Sequence, residues 1–456
     1  MIDFDKIAQY SKVGPRYTSY PTAVEFHEGF KSQDYQKALQ DSNSSKLPLS
    51  LYVHLPFCQS ACYFCACNVI YTKNENKKGE YIPYLKKELE LLKPYLDTKR
   101  EVIQLHFGGG TPTFFSASHL EEIIALLHQT FPHFSKEIEA SCEIDPRFFN
   151  ADQMRVLKDG GFNRVSFGVQ DFNPKVQEAI NRIQSVELVQ NAVQIARDAG
   201  IKSINFDLIY GLPHQDRQSF LQTLDLVSSL SPDRLAVFNY AHVPWIKKTM
   251  QKIDEKALPQ SKEKLKILES MINFLRQKGY ELIGMDHFAK QEDELYQTML
   301  TGKLRRNFQG YTTKGFSQTI GIGLTSIGEG EDYYVQNHKD LKTYMKLLDE
   351  GILPVHKGIW LTQEDRLRKE VIMEIMNNLC LNYAKIDEKF GIDSREYFAE
   401  ALRRLKEYED AGLIELKHNE LRATPTGGML IRNIAMEFDA YLSKTPEEHK
   451  RFSKTL

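Results

Sequence analysis

The stretch LSLYVHLPFCQSACYFCACN, residues 49–68, joins an apolar, strand-like run to a loop that holds four of the six cysteines in the chain. Cys58, Cys62 and Cys65 are separated by three and then two residues, and Cys67 follows. Six cysteines in 456 residues are too few for a disulfide scaffold, whereas clustered thiols indicate a metal site. The stretch therefore predicts a β-strand that leads into a metal-binding loop.

The spacing of Cys58, Cys62 and Cys65 favours an iron–sulfur cubane. Three thiolates can hold three irons of a 4Fe-4S cluster, which leaves the fourth iron open to a chelating small molecule. The methionine part of S-adenosylmethionine can fill that position, and an electron from the cluster can then break the S–C bond to give a 5′-deoxyadenosyl radical. The alternative is a zinc site, although no second Cys pair follows at zinc-ribbon spacing.

Six strand-like runs alternate with longer segments of helical period. They are residues 49–55, 101–107, 137–144, 162–169, 202–211 and 234–240. Between the first two runs, apolar side chains recur in steps of three and four and predict a helix with one face against the sheet: Tyr81, Leu85, Leu89, Leu92 and Tyr95. This alternation predicts an α/β fold with a parallel sheet, which we interpret as a partial (β/α)6 TIM-like barrel. A doubly wound sheet would show the same spacing.

Candidate binding and catalytic residues follow the predicted strands at their carboxyl ends, where the active sites of barrels lie. The cysteines follow the first strand, and the other positions are Gly108–Thr111, Glu143, Gln170 and Asp207. They predict a single active site at one end of the barrel. Asp145 precedes a proline and is interpreted as a helix cap instead.

The run LHFGGGTPT, residues 105–113, ends the second strand with three glycines. Without a Cβ, Gly109 and Gly110 would let a ligand approach the backbone closely. The alternative is a tight strand-to-helix turn in which the glycines serve geometry alone. The neighbouring cysteine loop favours the ligand.

The chain is predicted to have three parts: an amino-terminal arm (1–48), the barrel and its extension (49–355) and a small, mainly helical winged-helix-like domain (356–456). The arm contains GPRYTSYPT, residues 14–22, where Arg16 either binds substrate carboxylates or only packs on the barrel. Residues 413–424 predict a hairpin, and residues 426–438 predict a helix after it. Histidines 54 and 106 are interpreted as satisfied strand residues, whereas an acid–base role of His242 or His287 stays open.

Charge and hydropathy exclude several classes of partner. The formal net charge is −2 and the pI is about 6.7, so we expect neither nucleic acid nor an anionic membrane as partner. No apolar run approaches the length of a bilayer span, and the polar start MIDFDKIAQY lacks the apolar core of a signal peptide. We expect a cytoplasmic protein.

With these motifs assembled, the sequence resembles the radical S-adenosylmethionine superfamily and, within it, the family of oxygen-independent coproporphyrinogen III dehydrogenases (oxidases). The resemblance extends over the whole chain. Its motifs are GPRYTSYPTAVEF, LYVHLPFCQSACYFCACN, HFGGGTPT, EIDPR, GFNRVSFGVQDFN, NFDLIYGLP, RLAVFNYAH, GMDHFA, RNFQGYTT and LIRNI. The resemblance implies oxidative decarboxylation of two propionates of coproporphyrinogen III to vinyls, giving protoporphyrinogen IX without oxygen.

The resemblance also implies two S-adenosylmethionine molecules beside the cluster. The residues that match contacts of the cluster-bound molecule are Tyr52, Gly109, Glu143 and Ile327. Those that match contacts of the second molecule are Phe64, Gly110, Thr111, Gln170, Arg182, Asp207 and Ala241. Cys67 matches the fourth cysteine of the family, which is not a cluster ligand and is an auxiliary residue or a packing thiol.

A haem-binding chaperone is the main alternative, because a related branch of the superfamily keeps the barrel and the cysteine triplet. That branch lacks the PRYTSYPT arm and differs at the position of Cys67, and both features are present here. A DNA-binding regulator, suggested only by the winged-helix-like segment, lacks a basic stripe. For the enzyme we expect an electron donor such as a flavodoxin or ferredoxin, and a monomeric chain.

Overall fold

All six predicted strands are present in the computed structural model, which describes residues 2–442. Within that range the strands β1 to β19 are, in chain order, Leu49–Leu55, Phe57–Cys58, Ile70–Tyr71, Val102–Gly109, Phe134–Ile144, Arg164–Gln170, Ser203–Tyr210, Arg234–Asn239, Tyr280–Gly284, His287–Lys290, Arg305–Asn307, Gly310–Thr312, Gln318–Ile322, Ile327–Glu329, Tyr333–Asn337, Val355–Trp360, Cys380–Asn382, Ile414–Leu416 and Glu420–Ala423.

The α-helices of the same range, α1 to α17, are Phe4–Tyr10, Ser32–Ser42, Asn76–Leu92, Ala117–Thr130, Ala151–Asp159, Pro174–Ala179, Val186–Asp198, Arg217–Ser229, Ser261–Gln277, Glu294–Leu300, Leu341–Asp349, Gln363–Asn378, Tyr383–Phe390, Ser394–Tyr397, Ala399–Asp410, Pro425–Met429 and Ile431–Met436. None of the described helices is both long and apolar enough to cross a bilayer.

The chain divides into two units. The barrel unit comprises Phe26–Ile267 and Phe316–Trp360, and the second unit comprises Met1–Glu25, Leu268–Gly315 and Leu361–Leu456. Each unit thus combines separate parts of the sequence, and the second unit draws on both ends of the chain. The predicted three-part division stays a prediction, and residues 443–456 of its last part lie outside the described residues.

The order of the strands distinguishes a barrel from a doubly wound sheet. In the barrel unit the strands β1, β4, β5, β6, β7 and β8 are neighbours in chain order, and every pair among them is parallel. A doubly wound sheet reverses the direction of its crossovers at a switch point, whereas here every crossover advances the same way. The prediction of a partial (β/α)6 barrel is therefore confirmed.

Beyond the six predicted strands, β13 pairs with β1 in parallel and continues the sheet on its other side. Strands β14, β15 and β16 then follow as antiparallel neighbours. The sheet of the barrel unit consequently ends in an antiparallel extension, which brings residues 316–360 to the first strand. Sequence spacing did not predict this return of the chain to β1.

The helix predicted between the first two strands is α3. Tyr81, Leu85, Leu89 and Leu92 are all buried on it, as their spacing requires. Each such side chain contributes roughly 1.5–3 kcal/mol through apolar burial. The inclusion of Tyr95 was wrong, because the helix ends at Leu92 and Tyr95 lies in the turn beyond it.

Helix α3 also carries a buried carboxylate that fastens the antiparallel extension. Glu88 accepts hydrogen bonds from the Gly323 backbone N–H and the Tyr344 hydroxyl, both at 2.7 Å, and from the Asn337 side-chain amide. Burial raises the pKa of Glu88 to about 7, although these donors oppose the rise. The carboxylate therefore links α3 to α11 and to the turn between β13 and β14.

We expect the stability of the barrel unit to fall with rising pH through Glu88. A folded-state pKa raised from 4.5 to about 7 gives stability that is complete below pH 4.5 and is lost as the pH rises through about 7, by an amount on the order of 3 kcal/mol. Glu88→Gln should remove this pH dependence in thermal unfolding, whereas Glu90→Gln, an exposed change on the same helix, should keep it. Equal pH profiles for wild type and Glu88→Gln would contradict the assignment.

The second unit contains the winged-helix-like segment. Strands β17, β19 and β18 form an antiparallel sheet, and β18 and β19 are the hairpin predicted at residues 413–424. The single helix predicted over residues 426–438 was wrong, since α16 and α17 are separate there. Leu430 lies between them with φ −107° and ψ 20°, outside helical geometry, so the hydrogen-bonding pattern is interrupted.

The stretch 14–22 is non-helical, as its prolines predicted. Within the second unit, Arg432 donates to the Pro15 carbonyl at 2.8 Å and the Tyr17 hydroxyl donates to Asp439 at 2.8 Å. Arg16 forms an ion pair with Asp286. These contacts hold the stretch in place. The predicted arm, residues 1–48, is only partly extended, because it also contains α1 and α2.

Candidate active site

The cysteine loop leaves β1 through the short strand β2, and hydrogen bonds to its backbone hold it against the neighbouring segments. The Tyr63 N–H donates to the Ile180 carbonyl at 2.9 Å, and the Asn181 side chain donates to the Ala61 carbonyl at 2.7 Å. At the far end, the Lys247 ammonium donates to the Cys67 carbonyl at 2.9 Å. An irregular loop held at several points can keep its thiols in place.

The thiols of the loop fit a 4Fe-4S cluster that is held by three protein ligands. Cys58, Cys62 and Cys65 are all free thiols that are partly accessible, and Cys67 is free and exposed. Among the described residues, no three His, Cys, Asp or Glu side chains are arranged to hold a single metal ion. Three partly accessible thiols match the ligand count of a cluster with one open iron, and Cys67 is a fourth thiol of the same loop.

Two guanidinium groups flank Cys62. Arg147 and Arg182 each place a nitrogen 3.6 Å from the Cys62 sulfur. Asp145 holds both, at 2.7 Å from Arg147 and 2.9 Å from Arg182. Hydrogen bonds to ligand sulfurs help to set the reduction potential of an iron–sulfur cluster. The two arginines therefore form the polar environment of the Cys62 thiol.

Asp145 does more than its sequence suggested. It caps the 3₁₀ turn Pro146–Phe148 by accepting from the Arg147 N–H at 3.1 Å, so the cap prediction is confirmed. It also orients Arg147, which sequence reasoning missed. The signal is the charged pair Asp145 and Arg147 in EIDPR at the end of β5, from which the sequence pattern predicts only a helix cap.

The glycine run packs directly on β1 and β2, the two strands that lead into the cysteine loop. The Gly110 N–H donates to the Leu55 carbonyl at 2.9 Å, and the Thr111 N–H donates to the Phe57 carbonyl at 3.0 Å. A Cβ on Gly110 would lie 2.7–2.8 Å from backbone atoms of residues 55–57. At this position the missing side chain serves the approach of the protein's own backbone. The Thr111 hydroxyl lies 3.3 Å from the Cys58 sulfur.

Glu143 lies beside this run at the end of β5. Its carboxylate accepts from His106 Nε2 and from the Gly109 N–H, both at 3.2 Å. Burial raises the pKa of Glu143, but the hydrogen bond and charge of His106 and the Gly109 N–H outweigh it and lower the pKa below its usual range. The side chain is still 45% exposed, so an ionised carboxylate faces the site.

Tyr52 and His54 complete the first strand's contribution. The His54 Nε2–H donates to the Asn68 carbonyl at 3.1 Å, and its Nδ1 accepts from the Tyr52 hydroxyl at 3.0 Å. Burial lowers the pKa of His54 to about 4, so it is neutral near pH 7. The Tyr52 ring stacks on His106 with centroids 5.8 Å apart. Both strand histidines are thus hydrogen-bonded, as expected.

The next two strands contribute Gln170 and Asp207. Gln170 has φ +67°, and within the described structure its buried Oε1 has no hydrogen-bond partner. Asp207 accepts from the Ser166 hydroxyl and the Asn205 amide, both at 2.9 Å. Burial and the charge of Glu143 raise the pKa of Asp207 to about 6, although both hydrogen bonds lower it. An unpaired buried acceptor is the kind of group that a polar ligand satisfies.

The remaining predicted residues are placed as follows. Phe64 packs on an apolar cluster that includes Ile180 and Tyr240, Ala241 follows β8, and Ile327 begins β14. Arg16 belongs to the second unit, so the barrel unit alone does not include it. The His242 ring lies between the Tyr240 hydroxyl, 2.8 Å from its Nδ1, and the Glu255 carboxylate, 3.1 Å from its Nε2. His287 belongs to the second unit. The predicted cofactor contacts stay predictions.

Comparison with known proteins agrees with this geometry. Residues 52–227 match the model of the Radical SAM superfamily, and residues 361–430 match that of the HemN C-terminal domain. The oxygen-independent coproporphyrinogen III oxidase of Helicobacter pylori is 62% identical over 100% of this chain and 99% of that protein. The enzyme of the same name from Escherichia coli is 44% identical over 100% and 99%.

Among solved structures, coproporphyrinogen III oxidase (HemN) from Escherichia coli, titled a Radical SAM enzyme, superimposes with a TM-score of 0.92. It is 43% identical and covers 97% of this chain and 99% of its own. The parallel barrel and the cysteine loop thus define a radical S-adenosylmethionine protein, with a 4Fe-4S cluster and S-adenosylmethionine as cofactors. With relatives this similar over its full length, the chain belongs to the family of oxygen-independent coproporphyrinogen III oxidases.

Proposed function

We propose that this protein decarboxylates two propionate side chains of coproporphyrinogen III oxidatively to vinyl groups, giving protoporphyrinogen IX without oxygen, as a step of haem biosynthesis. One observation carries the proposal: the cysteine loop, the glycine run and the polar strand ends lie together in a chain that matches oxygen-independent coproporphyrinogen III oxidases over its whole length. Each propionate loses a hydrogen atom from its β-carbon, CO2 and one further electron.

The cluster and S-adenosylmethionine, when bound, supply the radical that removes a hydrogen atom from the substrate. Cys58, Cys62 and Cys65 would hold the cluster, with Arg147 and Arg182 beside the Cys62 sulfur. The Glu143 carboxylate, which is ionised and partly exposed, would bind the amino group of the cluster-bound S-adenosylmethionine. Tyr52, Gly109 and Ile327 would complete that site.

A second S-adenosylmethionine would be bound by Phe64, Gly110, Thr111, Gln170, Arg182, Asp207 and Ala241. The unpaired Oε1 of Gln170 supports this assignment, because it offers a buried acceptor to a ligand hydroxyl or amine. Arg182 would serve both the Cys62 sulfur and this ligand. The pairing of Arg16 with Asp286 supports a structural role for Arg16 in the free protein, and binding of a substrate carboxylate would have to replace that ion pair.

The finer features of the system belong to the same proposal. We propose a cytoplasmic, monomeric enzyme that receives electrons from a flavodoxin or ferredoxin, with no nucleic acid or membrane as partner. The balanced charge of the chain supports the last point. Cys67, exposed beside Cys65, would be an auxiliary residue of the loop and no cluster ligand.

The proposal is tested by anaerobic assay. The cluster is reconstituted, dithionite, S-adenosylmethionine and coproporphyrinogen III are added, and 5′-deoxyadenosine and protoporphyrinogen IX are quantified by chromatography. We expect both products. Cleavage of S-adenosylmethionine without a vinyl product would refute the substrate, and tight haem binding in that case would favour the chaperone alternative.

We expect S-adenosylmethionine affinity to decline in acid because of Asp207. Its pKa of about 6 means that the carboxylate is mostly protonated below pH 6 and ionised above it. Since the ionised form is the one proposed to bind the ligand, the dissociation constant should be about tenfold higher at pH 5 than at pH 8. Isothermal titration of the loaded protein between pH 5 and 8 measures this change.

The matched variants for that titration are Asp207→Asn and Asp198→Asn. Asp207→Asn should bind weakly at every pH without the acidic decline, whereas Asp198→Asn, an exposed change on α7, should behave as wild type. A wild-type pH profile in Asp207→Asn would show that another group is responsible.

A further inference from the structure

Several exposed apolar side chains belong to segments that contact the cysteine loop. The described residues include ten large apolar side chains that are exposed, and four of them lie next to this loop: Tyr71, Ile183, Trp245 and Ile246. Trp245 is 70% exposed, Ile183 67% and Ile246 60%. Exposed apolar side chains scattered singly need no explanation, whereas their concentration around one loop indicates an interaction surface.

Each of these side chains belongs to a segment that is hydrogen-bonded to the loop itself. Next to Tyr71, the Thr72 N–H donates to the Cys58 carbonyl at 3.0 Å. Two residues before Ile183, Asn181 donates to the Ala61 carbonyl, and just after Ile246, Lys247 donates to the Cys67 carbonyl. All of these segments are in the barrel unit. We call the four side chains and the lysines around them the loop rim.

The loop rim is basic, although the chain as a whole carries a formal charge of −2. The segment from Val243 to Lys252 contains three lysines and no acidic residue, and Lys252 lies 4.9 Å from the centre of the Tyr63 ring in the cysteine loop. In the segment after Tyr71, Lys73 and Lys77 are exposed, and Glu75 between them pairs with Lys78. The segments 71–78 and 243–252 are therefore each positively charged, and the first acidic residues that follow them are Glu80 after the one and Asp254 and Glu255 after the other.

We propose that the loop rim is the docking surface of an acidic electron-donor protein. This inference rests on the proposed function, because each vinyl group formed requires an electron delivered to the cluster from outside. Electron transfer falls steeply with distance, so a donor must approach the cysteine loop. Exposed tryptophan together with basic side chains is typical of a protein interface that attracts an acidic partner.

Coproporphyrinogen, which is also anionic, fits this surface less well. Small molecules bind in concave sites that bury most of their surface, whereas the Trp245 and Ile246 side chains are 70% and 60% exposed. A protein with an acidic face matches both the exposed apolar side chains and the lysines of the loop rim. Neither Trp245 nor Lys248 belongs to the cofactor site, so both can be changed without altering it.

The test compares two sources of electrons for the loaded enzyme. Turnover is measured with a reduced, acidic flavodoxin and, separately, with dithionite, for wild type and for the variants Trp245→Ala and Lys248→Glu. We expect the KM for flavodoxin to rise about tenfold in each variant while dithionite-driven turnover stays unchanged. The flavodoxin KM of wild type should also increase with salt more steeply than that of Lys248→Glu.

Matched controls are Leu300→Ala and Lys346→Glu, exposed changes away from the loop rim in sequence. An unchanged flavodoxin KM in both rim variants would overturn the docking proposal, as would an equal loss with both electron sources. A raised KM for coproporphyrinogen alone would assign the rim to substrate capture, and a wild-type dimer that Trp245→Ala dissociates would assign it to self-association. Absence of vinyl product with dithionite would refute the proposed function instead, and flavodoxin binding measured by titration calorimetry would still decide the docking.

Discussion

Replacing Cys58 by serine is expected to abolish both the cluster and the formation of vinyl product. A serine hydroxyl is a poor substitute for a thiolate as an iron ligand, and the remaining cysteines of the triplet cannot hold three irons. We expect iron and sulfide content near zero after reconstitution and at least about a thousandfold loss of product formation, because the radical initiator is missing. Iron and sulfide analysis, electron paramagnetic resonance of the reduced protein and chromatography of 5′-deoxyadenosine measure these effects.

Two other cysteines provide the controls for this experiment. Cys380→Ser changes a half-buried thiol in β17 of the second unit and should leave the cluster intact. Cys67→Ser changes the exposed neighbour in the loop and should also retain the cluster, because Cys67 is proposed not to be a ligand. A Cys58→Ser protein with a wild-type cluster and wild-type turnover would overturn the ligand assignment, and loss of the cluster in Cys67→Ser would make it a ligand.

The features that could be predicted from the sequence are those that depend on neighbouring residues along the chain. The six barrel strands are apolar runs, and the periodic spacing of Tyr81, Leu85 and Leu89 placed α3 against the sheet. The cysteines and Gly108–Thr111 follow strands directly, so their place at the carboxyl ends could be predicted from a parallel arrangement alone. Local pattern and strand direction were sufficient for these features.

What the sequence did not reveal depends on contacts between distant residues. The return of β13 to β1 pairs Gln318 with Leu49, and no periodicity indicates which strand will be its neighbour. Arg147 approaches Cys62 only because β5 and the cysteine loop meet in space. Glu88 occurs in a polar stretch of α3, and its burial depends on Asn337 and Tyr344 from the extension. Each of these positions is fixed by tertiary structure that propensity does not encode.

The site therefore combines a locally encoded loop with supports from remote segments. The loop supplies the proposed ligands, and the neighbouring elements fix its conformation through Asn181, Lys247 and the backbone of Gly110. Supports of this kind determine whether ligands are held in the geometry that a cofactor requires. A change in a support should then damage the site even though no ligand is lost.

Gly110→Ala tests that conclusion and should have the second largest effect. A Cβ at this position would meet the Pro56 carbonyl carbon at 2.7 Å and the Leu55 and Phe57 carbonyl oxygens at 2.8 Å, and backbone atoms cannot rotate away as a side chain can. The end of β4 would have to separate from β1 and β2. This separation would break the hydrogen bonds of Gly110 and Thr111 to those strands. We expect at least about a hundredfold loss of S-adenosylmethionine cleavage, since small displacements of positioning groups are that costly.

Gly315→Ala is the matched control, because a Cβ there would have no atom within 4 Å and should leave cleavage unchanged. Circular dichroism and thermal unfolding separate a local effect from misfolding, and iron content shows whether the cluster still assembles. A folded Gly110→Ala protein with reduced iron content would show that the glycine run positions the ligands, because no thiol has been removed. A folded variant with full iron content and full cleavage would contradict the role of this close backbone contact.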